Sequence, residues 1–301
     1  MADPIEFKTY AYHDIDAGLW RAWQQKSEKW GYYPFQSALW ARSGVADYNH
    51  KTDLFLLAAE REGKYLGFFP YKICWRLKGG CVPIKYCLPW NDVMPVGFVI
   101  APHQTTDFYA ALFKGFFCAL PRWHILISGL SQTDSPVANH LQRHFQATRI
   151  AYSTTEYIAA EIRGFDCYDD YLSSLSTKWR RNYRKAKRRL LDSGAAQLVH
   201  LTTFSAADLA DTKARIMGIY RESWKITSTD DSANLMKAKA YSLFSNLVNE
   251  YAAIGGLHIM ILTLNGEDAA FAVGFHQGGF YCSFQIAYKE KFRKDSVGFS
   301  L

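Results

Sequence analysis

The sequence has no CxxC pair, no apolar run long enough to cross a bilayer and no signal-like N-terminus, and each absence removes a class of function. The six cysteines (Cys74, Cys81, Cys87, Cys118, Cys167 and Cys282) fall at no zinc-ligand spacing, so no metal cofactor is expected. They are read as small buried hydrophobes of a reducing compartment. The opening Met1-Ala2-Asp3-Pro4-Ile5-Glu6-Phe7 has neither a positive n-region nor an apolar h-region. The longest apolar runs, such as 269–275, are of strand length. Together these absences predict a soluble, cytoplasmic protein. Disorder is excluded by a composition that is 49% hydrophobic and 16% aromatic.

Positive charge is abundant and concentrated. The stretch Lys178-Trp179-Arg180-Arg181-Asn182-Tyr183-Arg184-Lys185-Ala186-Lys187-Arg188-Arg189-Leu190 holds eight of the cationic side chains and no acid. The whole chain carries a net charge of only +7, so without this stretch it is about neutral. At helical spacing Trp179, Tyr183, Ala186 and Leu190 form one apolar stripe, and Arg180, Arg181, Arg184, Lys187 and Arg188 spread over the remainder. A solvated face with no ligand is the simple alternative. Like charges one turn apart cost a few tenths of a kcal/mol per pair, roughly 0.2–0.5, and an anion offsets that cost. Arg181 and Arg184 are therefore candidate anion-binding residues.

With 301 residues the chain is expected to form two domains, 1–162 and 163–301. The first fifty residues read as mainly helical. Residues 53–60 and 64–71 follow as two strands around the turn Arg61-Glu62-Gly63. Gly79-Gly80, Pro83, Pro89, Pro95 and Pro102 break up the next section, after which 105–120 and 136–145 read as helices around the short strand 125–127. Residues 149–162 read as β-rich. The second half offers helices over 206–224 and 233–253, then strands 256–264 and 269–276 around Asn265-Gly266, a strong hairpin signal, and a third strand over 280–287. The expected class is α/β with mixed sheets.

The succession of motifs resembles the FemAB-like, BioF2-like branch of the GCN5-related N-acetyltransferase (GNAT) superfamily, the group that includes the CelD-type cellulose-biosynthesis proteins. The basic helix of that branch is matched by Ser176, Lys178, Arg180, Arg181, Asn182 and Arg184. Its Ser-Trp-Lys is matched by Ser223, Trp224 and Lys225, and its closing Ser-Pro-Gly-x-x-Leu by Ser296, Val297, Gly298 and Leu301, with valine in the place of proline. The resemblance covers about residues 34–301 and is strongest from 165 onward.

This resemblance implies two acetyltransferase-like domains in tandem, an active cleft at their junction, and an acyl-CoA-dependent N-acyltransferase acting on an amino group of a sugar, peptide or cell-envelope precursor. Acetyl-CoA or another acyl-CoA would be the co-substrate, bound around Tyr288, Ser296 and Gly298. Glu222 is the candidate general base, with Trp224 and Lys225 shaping the acceptor pocket; His258, His276 and Tyr281 are further candidates that also read as structural. Relatives continue past the Ser-x-Gly turn, so the second domain is expected to be incomplete at Leu301 and donor binding to be weak or absent. Two alternatives remain: an aminoacyl-tRNA-dependent transferase of the peptidoglycan-bridge kind, and a nucleic-acid-binding module that uses the basic helix without chemistry.

Overall fold

The computed structural model describes residues 4–46, 51–90, 97–102, 104–129, 135–155, 162, 165–227, 234–295 and 297. It divides into two compact units: Met1–Thr155 with Gln277–Phe280, and Glu156–His276 with Tyr281–Leu301.

The first unit runs β1 (Glu6–Ala11), α1 (Ala17–Lys29), α2 (Ala38–Val45), β2 (Leu54–Arg61), β3 (Lys64–Lys78), β4 (Val82–Pro89), β5 (Val99–Ile100), α3 (Thr106–Ala119), β6 (Ile125–Leu126) and α4 (Pro136–Thr148). Its sheet has the order β1-β2-β3-β4-β6, with β5 also paired to β3. The β2–β3 hairpin turns through Glu62 at φ 53° and Gly63 at φ 70°, a two-residue turn whose twist matches the flanking strands.

Alternation along β3 sends Phe68 to one face and Phe69 to the other. Phe68 stacks near Trp23 of α1, centroids 6.0 Å apart. Phe69 lies 4.1 Å from Phe98, which meets Phe113 of α3 edge-on. The sheet therefore carries a helix layer on each face. Its aromatic core is closed by Trp90, whose Nε1 donates to the carbonyls of Phe55 and Tyr71.

The second unit runs α5 (Tyr168–Ser174), α6 (Thr177–Lys187), a π-helical turn (Arg188–Asp192), β7 (Ala196–Leu201), α7 (Ala206–Arg221), a 3-10 turn (Trp224–Thr227), α8 (Ala238–Ala253), β8 (Leu257–Leu264), β9 (Glu267–Gln277) and β10 (Phe280–Tyr288). Its strand order is β10-β9-β8-β7. Asn265 and Gly266, at φ 51° and 81°, make the β8–β9 turn the sequence signals. Tyr251 of α8 packs on Phe275, centroids 4.6 Å apart, which places α8 on one face. On the opposite face Leu190 caps Ala196, Leu262 and Ala270. A capping box at Ser205 and Asp208 starts α7, and Arg215 forks onto Asp268 at 2.9 and 2.7 Å, tying that helix to the start of β9.

The α/β class with mixed sheets is what the structure has, and several local expectations need correction. The opening segment is not purely helical, because β1 precedes α1 and pairs with β2 along its whole length. The proline-punctuated section is a hairpin, β3 running on to Lys78 and β4 returning opposite it. Pro83 and Pro89 are tolerated because β6 pairs with β4 only at Tyr86 and Cys87, leaving that edge bare at both prolines. Pro70 likewise falls between the stretch of β3 covered by β5 and the stretch covered by β4. Strand β7 has no counterpart in the expected elements. All six thiols are free, but only Cys87 is buried, while Cys81, Cys118 and Cys167 are exposed. Part of the β-rich segment 149–162 lies outside the described residues, and Ile150–Thr155 form no strand.

Candidate active site

Helix α6 begins at Ser176, whose hydroxyl accepts from the backbone N–H of Trp179. Trp179 and Tyr183 stack on each other, and Ala186 and Leu190 are buried, so the apolar stripe faces inward as its spacing requires. Thr177, Arg180, Arg181, Arg184 and Arg188 share the other side and line an open basin of about 370 Å³. Arg180 is fixed by Ser173 O at 3.0 Å and by Thr177 Oγ1. Lys187 pairs with Asp192. Among the described residues Arg181, Arg184 and Arg188 have no carboxylate partner, leaving their guanidinium forks available to a phosphate or carboxylate.

A second polar locus forms where α7 ends. Glu222 caps that helix, and its carbonyl accepts from the N–H of Glu290. Ser223 is buried, its hydroxyl donates to Tyr220 O, and its backbone bridges to Lys289. The chain following α7 is thereby clamped to the end of β10. Lys289 is almost buried, and its Nζ meets Glu222 Oε1 at 2.9 Å and Glu267 Oε1 at 2.7 Å. Burial opposes the charge of Lys289, but its bonds to Glu267 and Glu222 outweigh that and hold the ammonium above the usual lysine range. Glu267, bonded also to Lys291, is pushed below the usual carboxylate range.

Lys225 follows in the 3-10 turn. Its Nζ donates to Oε1 of the buried Gln285 at 3.2 Å and stands 5.9 Å from the ring centre of the exposed Trp224. Burial pushes its pKa down.

Residues 177–301 match the acetyltransferase (GNAT) domain family. Residues 177–301 are thus a GNAT domain by sequence, and the fold of the chain is shown by its likeness to a solved structure. Among solved structures it is similar to FemX, at 12% identity and a TM-score of 0.56, over 93% of this chain and 83% of FemX. It is also matched to a tandem GNAT protein from the clavulanic acid biosynthesis pathway, at 11% identity and a TM-score of 0.35, over 98% of this chain and 82% of that one. The aminoglycoside N-acetyltransferase AAC(6')-Iy, solved with CoA, matches at 16% identity and a TM-score of 0.27, over 54% of this chain and 95% of its own. No curated protein matches significantly. The GNAT domain makes the chain an acyltransferase.

Within the GNAT domain the structure gathers Glu222, Trp224 and Lys225 beside β10. Arg181 and Arg184 lie in the separate basin on α6. Tyr288 packs half-buried against the apolar cluster of Leu190, Leu262, Ala269 and Val297. Ser296 and Gly298 lie outside the described residues. His200 and His258 touch, Nε2 to Nδ1 at 3.0 Å, with His276 and Tyr281 near His258. Among the described residues no group of three or more His, Cys, Asp or Glu could hold a metal ion, and no helix is long and apolar enough to cross a membrane. Gln285 and Lys289 escape sequence reasoning, because nothing in the pattern of β10 tells that their polar ends are buried beside the corner after α7.

Proposed function

We propose that the chain is an acyl-CoA-dependent N-acyltransferase, with an amino group of a sugar, peptide or cell-envelope precursor as acceptor. The acceptor amine attacks the thioester carbonyl at the corner formed by Glu222, Trp224 and Lys225. The arginine basin of α6 holds an anionic portion of donor or acceptor. The observation that carries this reading is the row of guanidiniums on the GNAT domain left without carboxylates among the described residues. Positioning of this kind lowers the barrier by holding reactants together, and a group at the corner must then accept the amine's proton.

Replacing both Arg181 and Arg184 with Ala should raise the KM of the anionic substrate about tenfold or more while kcat and the circular dichroism spectrum stay as in wild type; each lost charge-assisted bond is worth roughly 1.5–3 kcal/mol. Unchanged KM values for both substrates would remove the basin from the reaction.

The sequence resemblance also implies an aminoacyl-tRNA-dependent transferase, and the same basin suits RNA phosphates. Parallel assays with radiolabelled acetyl-CoA and radiolabelled aminoacyl-tRNA, each with a panel of amines, separate the two. Label transferred from the RNA alone replaces the acyl-CoA reading.

A further inference from the structure

The reaction needs a proton acceptor, and the corner offers two titratable side chains. Glu222 is half-exposed and already engaged with Lys289, so its protonation would strip a nearly buried ammonium of one of its two carboxylates. Lys225 is placed differently. It is half-buried, and its only hydrogen-bond partner among the described residues is the amide oxygen of Gln285. Among the described residues no charged group of α7, β10 or the segment after β10 pairs with it; Glu222, Lys289 and Lys291 are satisfied among themselves and Glu267. An ammonium withdrawn from water without a carboxylate is costly, and shedding its proton relieves the cost. Gln285 Oε1 can accept from a neutral amine as well, though more weakly than from an ammonium, and the neutral form leaves the nitrogen lone pair free to point elsewhere.

We propose that Lys225 is the catalytic residue that takes the proton from the attacking amine. The inference rests on the acyltransferase reading. The acceptor nitrogen forms the new C–N bond to the acyl carbon, the C–S bond breaks with its electron pair leaving on the thiolate, and the nitrogen's proton moves to Lys225 Nζ. The resulting ammonium returns that proton to the thiolate or to water, restoring the amine. Trp224 receives the transient charge on its ring face, and Gln285, fixed on β10, holds the nitrogen in place. Burial, which keeps this amine below the usual lysine range, agrees with the role.

The test has two arms on the full chain. In the first, lysines are acylated with an N-hydroxysuccinimide ester across a pH series and the modified sites are located by peptide mass spectrometry. Lys225 should react about tenfold or more faster than the exposed Lys185 near neutral pH, each unit of lowered pKa giving about tenfold more free amine. Reaction no faster than Lys185, with the same pH dependence, overturns the proposal. In the second arm, K225A should lower kcat by roughly 10²–10⁴ and remove the rise of rate with pH, K225R should not restore it, and E222Q should keep it. Loss of the pH dependence in E222Q but not in K225A also overturns the proposal while leaving the acyltransferase reading standing. A wild-type chain that labels fast at Lys225 yet acylates no amine sinks the functional reading, and the role of Lys225 with it. Thermal melts of each variant separate misfolding from lost chemistry.

Discussion

The two units share a plan and differ in what occupies one connection. Each runs a strand, two helices and three further antiparallel strands, in the sheet orders β1-β2-β3-β4 and β7-β8-β9-β10. In the first unit the link between its two helices is Trp30-Gly31-Tyr32-Tyr33-Pro34-Phe35-Gln36-Ser37, without a charge. Tyr32 gives its hydroxyl to Ile100 O and accepts from Ile100 N, and Tyr33 stacks on Phe35. In the second unit the corresponding link opens with Glu222-Ser223-Trp224-Lys225 and reaches β10 through Lys289 and Gln285. One architecture thus holds an uncharged aromatic link, lining a small cavity with Phe98 and Tyr109, in one copy and partly desolvated charges in the other. That contrast is the reason the proposed chemistry is placed in the second unit.

Substitutions in each unit test the contrast. The largest effect is expected for Phe113→Ala, which empties the centre of the aromatic core of the first unit. It should cost about 3–5 kcal/mol in denaturant unfolding while leaving the acylation rate of Lys225 as in wild type. Altered Lys225 reactivity in that variant would undo the separation of roles.

Next come two glycines under aromatic rings. A methyl at Gly115 of α3 would run into Phe7, which is trapped against Phe116, and Gly115→Ala should cost about 1–3 kcal/mol. A methyl at Gly274 would run into Tyr281, but that ring is half-exposed and can swing outward, so Gly274→Ala should shift the melting temperature less. Equal losses would mean that the second sheet is as tightly packed as the first.

The smallest effect concerns protons. Burial, together with the neighbouring His200 and His276, pushes His258 below its ordinary 6.5. Burial does the same for His140 and His144 in the first unit, His140 also facing Arg143. The unfolded chain then binds protons before the folded one does. Stability is fully present above pH 6.5 and falls as the pH drops from there towards the lower folded values. His258→Asn should reduce that loss modestly in urea melts at mildly acid pH, and a steeper loss in this variant would reverse the assigned sign.

How much was legible beforehand follows from which forces leave a local trace. The turns at Glu62-Gly63 and Asn265-Gly266, and the stripe of Trp179, Tyr183, Ala186 and Leu190, are written in backbone conformation and in periodicity, so both are readable without coordinates. Strand β4 was hidden because Pro83 and Pro89 look like interruptions until its bare edge is known. Strand β1 was masked by the tryptophan-rich helix after it. At the corner, Glu222, Trp224 and Lys225 could be named, but their partners Gln285 and Lys289 lie about sixty residues away along the chain. Burial of a polar tip is a tertiary property with no sequence period.

The π-helical turn after α6 sets the direction in which the guanidiniums look. It spans Arg188–Asp192 and is bonded i→i+5, a wider winding than the roughly 3.6 residues per turn of an α-helix. The wider winding lets Leu190 sink into the sheet while Arg188 stays in line with Arg181 and Arg184, and Arg189 turns aside to the carbonyl of Lys294. It works as a phase adjuster between a hydrophobic anchor and an electrostatic comb. A one-residue insertion or deletion at this spot would rotate Arg181, Arg184 and Arg188 by about 100° relative to the anchoring Leu190.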